Sequence, residues 1–176
     1  MKKLLCAAIV AAIVGIAGTA IADDGAASPY TVMEVQMVGQ DFIGLVPEGI
    51  RFDGHSSGVI TEGLLAGATT TGIDYMLFRH DGVGVLDVRG FAVHPDGVTS
   101  SMRLSGFLGE PMPGMFEAML DPEFEPQDAD VPMHGAAWFQ TMAPQYAFLN
   151  HTVFGCSGTA NFATGFVRIT CRSLAP

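Results

Sequence analysis

The dipeptide Asp-Gly occurs three times, at 53–54, 81–82 and 96–97, each between runs that alternate apolar and polar residues. Alternation of period two marks half-buried strands, and Asp-Gly supplies the positive φ that a tight hairpin turn demands. Helical periodicity is scarce. Candidate strands fall at 31–38, 42–52, 58–66, 73–79, 84–94, 98–107, 136–141, 149–157 and 165–172. Many short strands at close spacing predict an all-β fold, a sandwich or barrel.

The turns also predict a register. A two-residue turn at Asp81-Gly82 pairs residues that sum to 163, setting Asp74 opposite Arg89. A two-residue turn at Asp96-Gly97 pairs residues that sum to 193, setting Phe91 opposite Met102. One face would then carry Asp74, Met76, Asp87, Arg89, Phe91 and Met102. Neither face reads as plainly wet, which suits a single closed or nearly closed antiparallel β-barrel with a pocket inside. The apolar character of both faces also leaves room for a homo-oligomeric partner against the outer surface. Residues 108–135 interrupt the pattern with five Pro and seven acids. They read as an irregular acidic excursion with a short helix at 114–120.

Residues 1–22 read as a signal peptide: Lys2-Lys3, an apolar run over 4–21, then Ala20-Ile21-Ala22 before Asp23-Asp24. An uncleaved anchor is the alternative, weakened by the Ala/Gly-rich tail and the cleavage pattern. Removal predicts one periplasmic or secreted domain, 23–176. In an oxidising compartment the remaining pair, Cys156 and Cys171, reads as a disulfide, with two buried thiols as the alternative. A turn centred at Ala163-Thr164 sets the two cysteines directly opposite each other.

Charge narrows the function. Six arginines against eighteen acids leave the body beyond residue 22 at −12, compared with −10 for the whole chain. Such a surface repels nucleic-acid phosphates and anionic lipids. One Trp and three Tyr are too few for the aromatic girdles of a membrane barrel. The five histidines show no ligand spacing, and no Gly-x-Ser-x-Gly elbow or phosphate loop appears. Met112, Met115, Met119 and Met133 with His134 are the soft-metal alternative, but methionine more often fills core gaps. No metal or other cofactor is expected. The cluster Asp74, Asp87 and Arg89 is the candidate for chemistry. A carboxylate and a guanidinium beside an apolar pocket can polarise a carbonyl and accept an adjacent proton. A structural ion pair is the alternative reading.

Two stretches, 51–97 and 138–158, resemble the family catalogued as domain of unknown function 3237. The likeness rests on Phe52 to Gly54, Asp74-Tyr75, Arg79 to Gly82, Leu86 to Arg89, and Tyr146 to Asn150. It implies a compact barrel similar in shape to allene oxide cyclase and lipocalin-like barrels, which hold small apolar or phenolic molecules. It places Asp74, Asp87, Arg89 and Asn150 on matched positions. The sequence departs from that pattern at Tyr75, Gly90, Gln140 and His151. The expected function is binding of a small, mostly apolar carbonyl or phenolic molecule, with isomerisation or cyclisation by acid–base chemistry. Asp74 or Asp87 would carry the proton, Arg89 would clamp, and Tyr75 or Tyr146 would donate a hydrogen bond. The alternative is a non-catalytic carrier or interaction module.

Overall fold

The computed structural model describes residues 30–111 and 113–174. The signal-peptide segment and Met112 lie outside the described residues. Eight antiparallel strands close into a barrel in chain order, with β8 returning to pair with β1. They are β1 Tyr30–Val46, β2 Gly49–Gly63, β3 Thr69–Arg79, β4 Gly84–Val93, β5 Thr99–Leu108, β6 Asp130–Gln140, β7 Phe154–Asn161 and β8 Phe166–Ser173. A one-turn helix, α1 (Met115–Ala118), lies between β5 and β6, and a 3₁₀ helix (Pro144–His151) between β6 and β7. Strict alternation on β3 buries Thr70, Gly72, Asp74, Met76 and Phe78. Large apolar side chains from all eight strands meet inside, among them Phe139, Phe154, Ile60 and Leu104.

The hairpin register differs from the expectation by one residue, at two places. The β3–β4 pairs sum to 162, so Ile73 faces Arg89. The β4–β5 pairs sum to 192, so Arg89 faces Arg103. The cause is loop length. Arg79 N–H donates to Val83 O at 3.0 Å and Gly82 N–H to Arg79 O at 3.0 Å. That is a three-residue loop, a turn followed by a left-handed residue, and Gly82 supplies it at φ 82°. His94 N–H to Val98 O at 2.8 Å repeats the arrangement, with Gly97 at φ 83°. A one-residue slip moves a strand's side chains to the other face. The two slips cancel across β4. The even residues of β3 and β5 share the inner face as expected, while β4 is inverted: Leu86 and Val88 point in, and Asp87, Arg89 and Phe91 point out.

Asp53-Gly54 is not a turn. Both residues lie inside β2, paired with Tyr75 and Asp74. The first hairpin turns instead at Pro47-Glu48, where Pro fixes φ and the strand pairing runs from Val46 to Gly49. The expected strands 31–38 and 42–52 are therefore mostly one long β1. A 3₁₀ helix starts at Pro144 and runs to His151, so residues 149–151 are helical rather than the start of the strand expected at 149–157. The acidic excursion contracts to 109–129, because β6 begins at Asp130.

The last hairpin matches its expected register. Pairs sum to 327, Cys156 faces Cys171, and a disulfide joins them.

Candidate functional site

A cavity of about 310 Å³ lies inside the barrel. Its wall is mainly apolar, with Met33, Met76, Met102, Met133 and Phe52 among the lining, and Gln40, Ser56, Thr70 and Asn161 add uncharged polar groups. Asp74 is the one ionisable side chain among the described lining residues. The cavity reaches solvent where the exposed residues Gly39 and Gln40 of β1 approach Phe162 in the β7–β8 turn. At the opposite end the 3₁₀ helix follows β6 and inserts Leu149, which is fully buried.

Asp74 enters the cavity because β3 presents its even residues inward. It is 7% exposed. Its Oδ1 accepts the backbone N–H of Asp87 at 3.0 Å. Oδ2 has no hydrogen-bond partner among the described residues. Burial pushes the carboxyl up to about 7, reinforced by the charges of Asp87 and Asp53 and opposed by the Asp87 N–H. Near neutral pH the group therefore exists in both protonation states and can donate or accept a proton. On β2, Gly54 is the direct partner of Asp74. A Cβ at Gly54 would collide with Met37 Cε, so the missing side chain leaves room for that methyl.

The rest of the expected cluster is on the other side of the wall. Arg89 Nη2 donates to Asp87 Oδ2 at 2.7 Å, and Arg103 Nε donates to Asp87 Oδ1 at 3.2 Å. Arg89 lies 5.4 Å from the Tyr75 ring centroid. Hydrogen bonding to Arg89, then the charges of Arg103 and Arg89, hold Asp87 below the usual carboxylate range despite partial burial. Arg89, 59% exposed, cannot reach a ligand in the cavity. The structure thus corrects the expected grouping of Asp87 and Arg89 with Asp74. Phe91 leaves the cavity face by the same inversion of β4, and Tyr75 faces outward because it holds an odd position on β3. Met76 and Met102 do line the cavity.

Tyr146 and Asn150 belong to the closed end. Asn150 Oδ1 accepts Thr141 N–H at 2.8 Å and its Nδ2 donates to Thr141 O at 2.9 Å, a two-point clip between β6 and the 3₁₀ helix. Tyr146 stacks on His94 with centroids 4.1 Å apart. Neither lines the cavity.

His94 is a feature the sequence reading missed. It is 3% exposed, and its Nε2 shares a hydrogen bond of 3.0 Å with Ser100 Oγ. Nδ1 is buried without a partner. Burial lowers its pKa, so the ring is neutral at pH 7. The signal for it was parity: His94 and Ser100 fall on the inner face once β4 is in its true register.

Met133 points into the cavity while the neighbouring His134 is exposed, so these two members of the methionine–histidine set do not face each other. Among the described residues no group of three or more His, Cys, Asp or Glu side chains could hold a metal ion.

Comparison with known proteins places the fold. The family model for proteins of unknown function DUF3237 matches residues 29–172. No curated protein matches. Among solved structures, a protein of unknown function from Clostridium acetobutylicum is similar at 20% identity. The match covers 83% of this chain and 93% of that one, with a TM-score of 0.66. RPA1785 of Rhodopseudomonas palustris, also of unknown function, is similar at 16% identity. Coverage is 84% and 95%, and the TM-score is 0.63. A β-barrel-like protein of Acinetobacter baumannii (ABAYE2633) is 19% identical, with coverage of 83% and 93% and a TM-score of 0.62. At these identities the likeness is one of fold.

Proposed function

The chain belongs to the DUF3237 family of proteins of unknown function, and from that footing we propose that it binds a small, mostly apolar molecule inside its barrel. Asp74 holds the ligand's single polar group. The observation that carries this reading is one near-neutral carboxyl, the one ionisable group among the described lining residues, in a mainly apolar cavity of about 310 Å³. That volume sits at the low end of small-molecule pockets, which suits a molecule of one or two rings. The lining offers no cation to a carboxylate ligand. A carbonyl can accept from protonated Asp74, and a phenol can donate to the carboxylate.

The same group sets the chemistry. A lone carboxyl that titrates near neutrality can protonate a carbonyl oxygen and remove a proton from a nearby carbon, the equipment of an isomerase or cyclase. The outward position of Arg89 removes the second polar group from that scheme and favours the carrier reading. Incubation separates the two. Ligand recovered unchanged marks a carrier, and conversion that Asp74→Asn abolishes marks acid–base turnover.

We place the protein outside the cytoplasm, in the periplasm or secreted. The leader-like residues 1–22 and the Cys156–Cys171 disulfide support this. Among the described residues no helix is long and apolar enough to cross a membrane. The outer wall carries Arg51, Asp53, Asp87, Arg89 and Arg103, a surface for water rather than for acyl chains.

Two neutral probes test the binding site, 2-acetylnaphthalene for the carbonyl class and 2-naphthol for the phenol class. Acetylnaphthalene should bind with constant affinity below pH 7 and weaken by up to about tenfold per unit above it, as the donor proton leaves Asp74. Naphthol should show the opposite trend. Asp74→Asn should remove both trends. Absence of binding by either probe, or trends that persist in the variant, overturns the proposal.

A further inference from the structure

A closed barrel has no free strand edge, but this one departs from closure at a single seam. The β1–β8 ladder ends at Gln36 opposite Phe166, with one further bond from Met37 N–H to Gly165 O at 2.8 Å. β1 continues to Val46, paired from there on with β2 alone. Residues 38–43 are exposed on both faces. Val38 is 66% exposed, Phe42 64%, Ile43 50% and Leu45 62%.

Proteins usually blunt such an edge with lysine, proline or inward charge. The segment from Met37 to Val46 has no lysine and no proline, and its one charge, Asp41, meets His55 Nε2 at 2.8 Å. Its irregularities are two bulges, at Val38 and Ile43, which leave the stretch from Gly39 to Phe42 regular between them.

We infer that this edge is covered by a second copy of the chain, β1 against β1 in antiparallel pairing about a two-fold axis. Two features choose that occupant. The first is charge. On a body of −12, this strip carries a single acid bonded to a histidine, so two copies can approach here while other acidic surfaces repel. The same net charge works against an anionic membrane. The second is symmetry. An antiparallel strand edge is self-complementary, and pairing it with itself closes at two copies. The four exposed side chains present on the order of 400 Å² of apolar surface per copy, the size that marks an interaction patch. Phe162 and Phe166 extend it across the seam, at 36% and 41% exposure. Gly39 and Gln40 lie both on this edge and on the cavity rim, so the partner's β1 would border the cavity mouth.

The test is the molar mass of the full chain in solution at 10–200 µM (a range of order set by ordinary dimer affinities), by light scattering after size exclusion. The variants are Phe42→Asp, Ile43→Lys and, on the outer face of β5, Phe107→Ser. Wild type and Phe107→Ser should run as dimers. Phe42→Asp and Ile43→Lys should run as monomers with wild-type circular dichroism, since both side chains are already in solvent. Amides over 38–43 should exchange more slowly in the dimer. A monomeric wild type overturns the inference. So does a dimer that survives both edge variants, one that Phe107→Ser also dissolves, or an assembly larger than two. None of these outcomes bears on the cavity reading, which the probe titration decides.

Discussion

Replacing Asp74 with Asn keeps the shape and the Oδ1 acceptor for Asp87 N–H but removes the titration. The carboxyl moves from 3.8 unfolded to about 7 folded. Between those values the folded state holds a proton that the unfolded state has released, so stability falls as pH rises through that window. The interval is 3.2 units, and at about 1.4 kcal/mol per unit it comes to about 4 kcal/mol, complete above pH 7. About 3 kcal/mol of that falls between pH 5 and pH 8. Asn, neutral throughout, does not carry this loss. Urea denaturation of both proteins across pH 5 to 8.5, under non-reducing conditions, isolates Asp74, because every other titration cancels in the difference. At pH 5 wild type has already lost about 1.5 kcal/mol, so the variant should lead it by about that much. By pH 8 it should gain about 3 kcal/mol more on wild type, or roughly 10 °C in Tm. A difference that stays flat with pH, or that grows in favour of wild type, refutes the burial of Asp74 in the cavity wall.

The Cys156–Cys171 bond closes a loop of 15 residues. Reduction should lower stability by about 3 kcal/mol in the chain-entropy account, read as a shift in urea midpoint with and without dithiothreitol; no shift refutes it. Arg89→Ala removes a guanidinium from the outer wall. It should leave the affinity of both naphthyl probes unchanged, and a large loss in the titration would return Arg89 to the binding site.

Much of the fold was legible in the sequence because alternation and turn residues are local signals. The β7–β8 pairing was fixed by its even-length loop, Phe162 to Gly165, which centres between Ala163 and Thr164 and sets Cys156 against Cys171. The β3–β4 and β4–β5 pairings were not, because Asp-Gly fits two loops. In a two-residue turn both residues take positive φ. In a three-residue loop only Gly82 or Gly97 does, and Asp81 Oδ1 or Asp96 Oδ1 instead accepts the N–H two residues on, from Val83 at 3.3 Å or Val98 at 3.1 Å. The dipeptide is the same, and one residue of difference decides which face of β4 is wet. Asp53-Gly54 shows the converse: tertiary pairing on both sides absorbs a turn signal into a strand.

Which of the candidate residues face the cavity was legible in half, for the same reason. Asp74, Met76 and Met102 occupy strands whose relative faces survive the double slip. Asp87, Arg89 and Phe91 occupy the strand that does not. His94 went unseen because its burial depends on that same inverted strand. Asn150 was misplaced because the 3₁₀ helix from Pro144 runs on to His151, over the start of the strand expected at 149–157, and Tyr146 because that helix carries it to the closed end.

The most direct measurement is native mass spectrometry of the protein purified from its own host, alongside Met102→Trp, whose indole would occupy the cavity. Wild type should carry an additional small mass, released on denaturation, and the tryptophan variant, still folded, should carry none. A wild type that flies bare, or an adduct that persists when the cavity is filled, would contradict a ligand inside the barrel.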